Sequence, residues 1–189
     1  LWEPGIRAKS GDATLLVFPD GQTMLIDAGF VECGKHVVSL LRDLHLTSLD
    51  GVVLSHSHDD HAGGALTVAQ YLYEHGGGID ACYRSSYIAS SKQEPLFEEY
   101  LKQKGTHVYE NVLAGYQGTV GDVRITTYHP TTEDLEKCVG NDESVNNVSI
   151  LMKFVYGRSK YLTGGDLYIE MEEKLAEQYG DLLKADVMK

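Results

Sequence analysis

Three histidines and two aspartates lie within six consecutive positions, in the stretch "HSHDDH" at 56–61. Their spacing, H-x-H-x-D-H, makes His56, His58, Asp60 and His61 one candidate group. Imidazole nitrogens and carboxylate oxygens are common zinc donors, at about 2.0–2.2 Å from the metal. The pattern therefore predicts a metal site, in which His56 and His58 could bind one ion and Asp60 and His61 a second. The alternative, a merely solvated polar loop, is less consistent with four ligand-type residues in this spacing.

The apolar residues that precede the cluster are expected to form the strand that positions it. The stretch "LDGVVLS" at 49–55 predicts a strand that is buried on both faces and runs straight into His56. Because side chains alternate along a strand, His56 and His58 are expected to point the same way. Gly63 and Gly64 follow the cluster and would allow close backbone approach beside the site.

The rest of the chain alternates between strand-like runs and helical periodicities. Strands are predicted at 13–18, 22–27, 49–55, 80–84, 107–113, 122–129, 148–156, 160–164 and from 185 onwards. Helices are predicted near 33–46, 65–75, 94–104 and 168–179. The polar, acidic segment 130–147 is predicted to be a loop, and turns at 19–21 and 157–159 indicate hairpins. This mixture predicts an α/β fold with mixed sheets and outer helices.

Length and composition suit one domain over 1–189. The chain has 189 residues, of which 42% are hydrophobic and 23% charged. No run of about 18 apolar residues is present, so no transmembrane segment is predicted. The cysteines Cys33, Cys82 and Cys138 form no C-x-x-C pair and indicate no disulfide framework.

The formal net charge of the chain is −12. Nonspecific nucleic-acid binding needs Lys and Arg clustered against phosphates, whereas the basic residues here are few and dispersed. The charge therefore disfavours such binding and favours small or uncharged substrates, although bound cations would reverse the field locally.

Three stretches together resemble the metallo-β-lactamase superfamily. "SGDATLLVFPDGQTMLIDAG" (10–29) resembles the opening hairpin of the family, and "LTSLDGVVLSHSHDDHAGGA" (46–65) resembles its metal-binding signature. "SKYLTGGDL" (159–167) resembles the later strand whose aspartate bridges two metals. Within the superfamily, the chain looks most similar to the metallo-β-lactamase-like domain of bacterial competence (DNA-uptake) channel proteins and its soluble relatives.

The resemblance implies a four-layer αββα sandwich of two mixed β-sheets flanked by helices. It implies two divalent metal ions, with zinc as the first expectation and manganese or iron as alternatives. Asp166 would bridge the metals, whereas its alternative role is to cap the helix that starts near Tyr168. Asp27 would be a buried supporting carboxylate, and its alternative is a plain turn residue. The ligand set carried over from the family is His56 and His58 for the first metal, Asp60 and His61 for the second, and Asp166 between them.

The sequence departs from the family at two places. Many members have a third histidine for the first metal just before the strand that matches 148–154, and this chain has none there. Asn146, Asp142 or a water could substitute for it. Members usually also carry a last histidine after the strand that matches "ADVMK", so the domain is expected to be C-terminally truncated and this form is expected to be a poor or inactive enzyme. Of the other histidines, only His129 is a candidate to line the site.

The expected function is that of a metal-dependent hydrolase that uses a metal-bound hydroxide, with Asp60 orienting it. The resemblance favours a phosphodiester-type substrate. The alternatives are a thioester, lactone or β-lactam hydrolase of the same fold, or a non-catalytic binding module. Two loops, 83–91 and 130–147, are candidates to select the substrate, and both could equally be solvated connectors. A soluble bacterial domain is expected, either cytoplasmic or extracytoplasmic.

Overall fold

The computed structural model describes residues 11–85, 91–110 and 112–189. These residues form two five-stranded sheets that face each other. The first sheet has its strands in chain order: β1 (Thr14–Val17), β2 (Thr23–Ile26), β3 (Ser48–Leu54), β4 (Gly78–Arg84) and β5 (His107–Tyr109). The second sheet has the reverse order, from β10 (Val187–Met188) through β9 (Ser159–Thr163), β8 (Leu151–Tyr156) and β7 (Val123–His129) to β6 (Gln117–Val120).

Both sheets are mixed. In the first sheet, β1 and β2 form an antiparallel hairpin and the remaining pairs are parallel. In the second sheet, β10 pairs with β9 in parallel and the other pairs are antiparallel. The helices connect and flank these strands: α1 (Gly34–Asp43), α2 (Asp59–Ala62), α3 (Ala65–Glu74), α4 (Gln93–Lys104), α5 (Thr132–Lys137), α6 (Asp142–Asn146) and α7 (Ile169–Tyr179), with 3₁₀ turns at Val31–Cys33 and Gly180–Leu183.

Three apolar clusters separate four layers. One lies between the first sheet and the helices α1, α3 and α4, and contains Val52 and Leu54 of β3. A second lies between the two sheets and contains Val53. The third lies between the second sheet and α7. The alternation of β3 side chains between the first two clusters is what strand geometry requires of a strand buried on both faces. The predicted αββα sandwich is confirmed.

The ends of β3 and β9 lie at the same edge of the sandwich. The backbone N–H of Ile150, just before β8, donates to the carbonyl oxygen of Ser55, just after β3, at 2.8 Å. The sheets are therefore joined at the point where the histidine cluster begins. Gly165, which follows β9, has φ +57, and a Cβ there would lie 2.9 Å from the Ser55 hydroxyl. A glycine is required at this position both by the backbone angle and by the close approach.

Most predicted elements are present. The hairpin turn at 19–21 and the strand from 187 are confirmed. The prediction of a loop over 130–147 is wrong, because the structure has two short helices there, α5 and α6. Strand β6 and the short helix α2 were not predicted. Part of the candidate loop 83–91 lies outside the described residues. Across the described ranges, no helix combines the length and the apolar character that crossing a membrane requires.

Candidate metal centre

Three side chains from two sheets converge at this edge. His56 and His61 follow β3, and Asp166 follows β9. One ligand atom from each of the three lies within 4.8 Å of the others. The Nε2 atom of His61 is 3.2 Å from Oδ1 of Asp166. Tyr168 is the N-terminal cap residue of α7 and its side chain makes no capping bond, so Asp166 is not placed as the helix cap.

His58 lies beside this group. Its Nδ1 atom is 3.1 Å from Nε2 of His56, and the two rings meet edge to face with centroids 4.8 Å apart. On its other side, Nε2 of His58 is 3.9 Å from Oδ1 of Asp142, the first residue of α6. His58 is half-buried, whereas the Asp142 side chain is exposed. Two imidazoles with facing nitrogens are a suitable arrangement for one shared cation.

Asp27 and Ser55 form a buried hydrogen-bond network with the histidines. Asp27 accepts bonds from the Ser55 N–H at 2.8 Å and from the Ser55 hydroxyl at 2.7 Å. Its Oδ2 atom also lies 2.9 Å from Nδ1 of His61. Asp27 is 1% exposed and has φ +59, a left-handed conformation that aspartate tolerates better than most residues. A carboxylate on the far nitrogen of a metal-binding histidine fixes its ring orientation, and Asp27 is placed to do this for His61.

The protonation of the two buried histidines differs. Burial, helped by the nearby His61, lowers the pKa of His56 to about 3, so His56 is neutral and one of its ring nitrogens has a lone pair that can bind a metal. Burial alone would lower the pKa of His61 too, but hydrogen bonds to Asp166 and Asp27 raise it to about 10. The hydrogen bond from His61 lowers the pKa of Asp166. Burial acts to raise the pKa of Asp27, yet the bond and charge of His61 lower it.

The residues present fit a divalent cation. Burying a cluster of imidazoles and carboxylates at one edge is unfavourable unless the charges are compensated. His56 and His61 are each 2% exposed, and the carboxylate of Asp166 closes the group from the other sheet. Such a nitrogen and oxygen donor set suits zinc, manganese or iron.

Two residues named from the sequence lie outside the converging group of described residues. Asp60 is not in the converging group formed by the described residues. It lies in the first turn of α2, and its carbonyl oxygen accepts from the N–H of Asp12. The prediction expected a loop to turn Asp60 and His61 toward the metal, whereas the structure has the short helix α2 there, with His58 as its N-terminal cap residue. His129 is fully buried, with Nε2 2.8 Å from the Asn147 carbonyl oxygen and Nδ1 3.3 Å from the Asp134 carboxylate, and it is not in the group either.

A buried charged cluster beneath the histidines was missed by the sequence interpretation. The Ser57 side chain, between the two histidines His56 and His58, is hydrogen-bonded to Glu94 of α4. Glu94 is 1% exposed, and burial raises its pKa to about 7 against the lowering effects of Ser57 and Arg84. Arg84 is buried nearby and forms an ion pair with Glu98. No pattern in the sequence identifies Glu94, because an acidic residue in the first turn of a helix is ordinary.

The chain is similar to several known proteins. Residues 6–80 match the family described as the metallo-beta-lactamase superfamily. The anti-Pycsar protein Apyc1 of Bacillus phage BSP38 is 39% identical over 121 residues, which are 62% of this chain and 40% of that protein. The protein of the same name from Bacillus phage vB_BsuM-Goe3 is 42% identical over 62 residues, which are 32% of this chain and 22% of that protein.

The solved structure of Zn(2+)-bound PqqB from Methylobacterium extorquens has a TM-score of 0.57 to this chain at 12% identity, covering 95% of this chain and 59% of that one. This likeness is one of fold. The matches to the two phage proteins span less than half of the length of either. The closer resemblance to competence channel proteins stays a prediction. The predicted resemblance to the superfamily is confirmed by the match of residues 6–80, and the fold agrees with it.

Proposed function

We propose that this chain is a metal-dependent phosphodiesterase whose site is formed by His56, His58, His61 and Asp166. Membership of the superfamily supports a metal-dependent hydrolase in general terms. The observation that carries the proposal is the convergence of His56, His61 and Asp166, from two different sheets, within 4.8 Å. A solvated polar loop would not bury two of these histidines to 2% exposure.

Some of these side chains would bind the cations, and Asp27 would orient one of the ligands. His56 and His58 would hold one cation, and His61 with Asp166 would hold a second. When bound, such ions supply Lewis acidity and make water nucleophilic near neutral pH. Asp27 would keep the Nδ1 side of His61 occupied, so that Nε2 faces the metal. A cation can bind Nε2 of His61 only after it displaces the proton there. Asp27 and Asp166 would then stabilise the positive charge of the bound cation.

A small phosphodiester is the substrate class that we favour. The net charge of −12 opposes long polyanions, while a mononucleotide diester has only one charge to place against the cations. The similarity to phage proteins called anti-Pycsar proteins makes a cyclic mononucleotide the first substrate to test. Thioesters, lactones and β-lactams are the competing substrates, since the same metal chemistry hydrolyses them.

A non-catalytic module is the second candidate. The observation that favours it is the absence of Asp60 from the converging group of described residues, because Asp60 is the one residue predicted to orient the nucleophile. In that case the fold and the histidines would serve binding alone.

The test combines metal analysis with a substrate panel. The chain, with zinc or manganese added, is assayed against a cyclic mononucleotide, bis-p-nitrophenyl phosphate, a thioester, a lactone and a β-lactam. His58→Ala should abolish hydrolysis, whereas His36→Ala, on an exposed face of α1, should not. Phosphodiester turnover that is lost in His58→Ala supports the proposal. Turnover only of a carbonyl substrate, or none with metal bound, overturns the proposed phosphodiesterase, and the second result favours the module.

A further inference from the structure

The first metal position has two histidines and no third. Helix α6 lies next to it, because Asp142 Oδ1 is 3.9 Å from Nε2 of His58. Residues four apart on a helix share a side, so Asp142 and Asn146 lie on the side of α6 that faces His58. Other residues of this segment, among them Glu143 and Ser144, line a separate polar cleft shared with Lys174 of α7. The side of α6 that carries Asp142 and Asn146 is therefore the one turned to the histidines.

Asn146 has an unsatisfied oxygen. Its side chain is 9% exposed, and Oδ1 has no hydrogen-bond partner among the described residues. Leaving a buried carbonyl-type oxygen unpaired costs about 1–3 kcal/mol, so such an atom normally has a partner. The residues that follow Asn146 connect α6 to the histidines. The Asn146 carbonyl accepts from Ser149 N–H at 2.9 Å, and the next residue, Ile150, bonds the carbonyl of Ser55 beside His56.

We propose that the Asn146 side-chain oxygen completes the cation site of His56 and His58, while Asp142 orients the His58 ring from its other nitrogen, Nε2. The inference rests on the proposed function and gives that site a further donor. A cation would satisfy Oδ1 and would lie between the two imidazoles and the side of α6 that Asp142 and Asn146 share.

The donor chemistry sets the choice of metal. Amide and carboxylate oxygens are hard donors that suit manganese and magnesium, whereas a third imidazole would favour zinc. A site of two nitrogens and oxygen donors should therefore bind Mn²⁺ more competitively against Zn²⁺ than a three-histidine site would. The missing third histidine becomes a determinant of metal preference.

The experiment measures Mn²⁺ and Zn²⁺ affinity by calorimetry on the metal-stripped chain. Asn146→Ala should weaken Mn²⁺ binding at one site by on the order of tenfold. Asn146→Asp should tighten it, because it keeps the oxygen and adds a charge. Asn146→His should shift the preference toward Zn²⁺. Glu143→Ala, on the other side of the same helix, is the matched control and should change neither affinity.

Opposite effects of Asn146→Ala and Asn146→Asp support the proposal, since a merely structural role for the amide would make both variants weaker. Thermal unfolding of each variant without metal checks that it folds. If Asn146→Ala does not fold, the Mn²⁺ affinity of Asn146→Asp is the deciding measurement. Unchanged Mn²⁺ affinity in the folded variants overturns the ligand role of Asn146, while the parent chain still binds metal and hydrolyses its diester. A parent chain that binds neither ion overturns the proposed function as well.

Discussion

His61 and Asp166 connect the two sheets at the site, with Nε2 of His61 3.2 Å from Oδ1 of Asp166. His61 follows the central parallel strand of one sheet and Asp166 follows β9 of the other. Any shift of one sheet relative to the other would separate these atoms. The integrity of the metal site therefore depends on the packing between the sheets, which Val53 and its neighbours provide.

Replacing Asp166 with alanine should lower the metal content of the protein. The carboxylate is the only donor of the converging group that comes from the second sheet, as far as the described residues go. Its removal takes away the carboxylate oxygen that lies beside Nε2 of His61. We expect loss of about one equivalent of metal, measured by elemental analysis after dialysis. Asp122→Ala, at an exposed turn, is the control. Equal metal content in both variants would contradict a ligand role for Asp166.

The histidine cluster was predictable because its signal is local. A buried strand followed by H-x-H-x-D-H fixes the positions of His56 and His58 within a few residues of chain. The placement of Asp60 was harder to predict, since α2 begins at Asp59, where the sequence indicated a loop, and its ligand role stays a prediction. Sequence spacing is a reliable guide only as long as the secondary structure does not change.

The prediction of a loop over 130–147 was wrong for another reason. Its two helices have 6 and 5 residues, too short for an amphipathic period to show. They are stabilised by caps instead: Thr131 forms a capping box with Asp134, and Asn141 accepts from the Ser144 N–H. Glu94 was missed because its partner, Ser57, lies on a different element and becomes a neighbour only through packing of α4.

Replacing Asp27 with asparagine should destabilise the metal-free chain by about 3 kcal/mol, because it breaks a buried ion pair with His61. Asparagine tolerates the left-handed backbone at this position, so the change reports the lost charge rather than backbone strain. Urea unfolding measures the effect, with the exposed Asp122→Asn as control. A loss below about 0.5 kcal/mol would show that the pair does not stabilise the fold.

Replacing Lys153 with methionine should weaken the pairing of β10 with β9. Lys153 is 7% exposed, and its ammonium group donates to the carbonyls of Leu182 and Lys184 at 2.5 and 2.7 Å. Hydrogen bonds from charged groups contribute about 1.5–3 kcal/mol each. We expect faster hydrogen exchange at the Lys189 amide, which bonds to the Leu162 carbonyl beside β10. Lys160→Met, exposed on β9, should leave that exchange rate unchanged.

The buried carboxyl of Glu94 should make stability depend on pH. Burial raises its pKa to about 7 from a usual value of 4.5, so between these values the folded chain holds a proton that the unfolded chain has lost. The folded state is therefore favoured below pH 4.5, and this contribution declines as pH rises to about 7 and then stays level. A shift of this size corresponds to on the order of 3 kcal/mol.

Glu94→Gln removes this titration and should remove that part of the pH dependence. Urea unfolding of the metal-stripped chain at pH 5, 6, 7 and 8 measures it, because stripping removes proton release by bound metal. The variant should gain stability relative to the parent between pH 5 and pH 8, while Glu177→Gln, exposed on α7, should follow the parent throughout. Parallel curves for the parent and Glu94→Gln would mean that Glu94 is ionised in the folded chain at pH 5, with Arg84 and Ser57 together outweighing its burial.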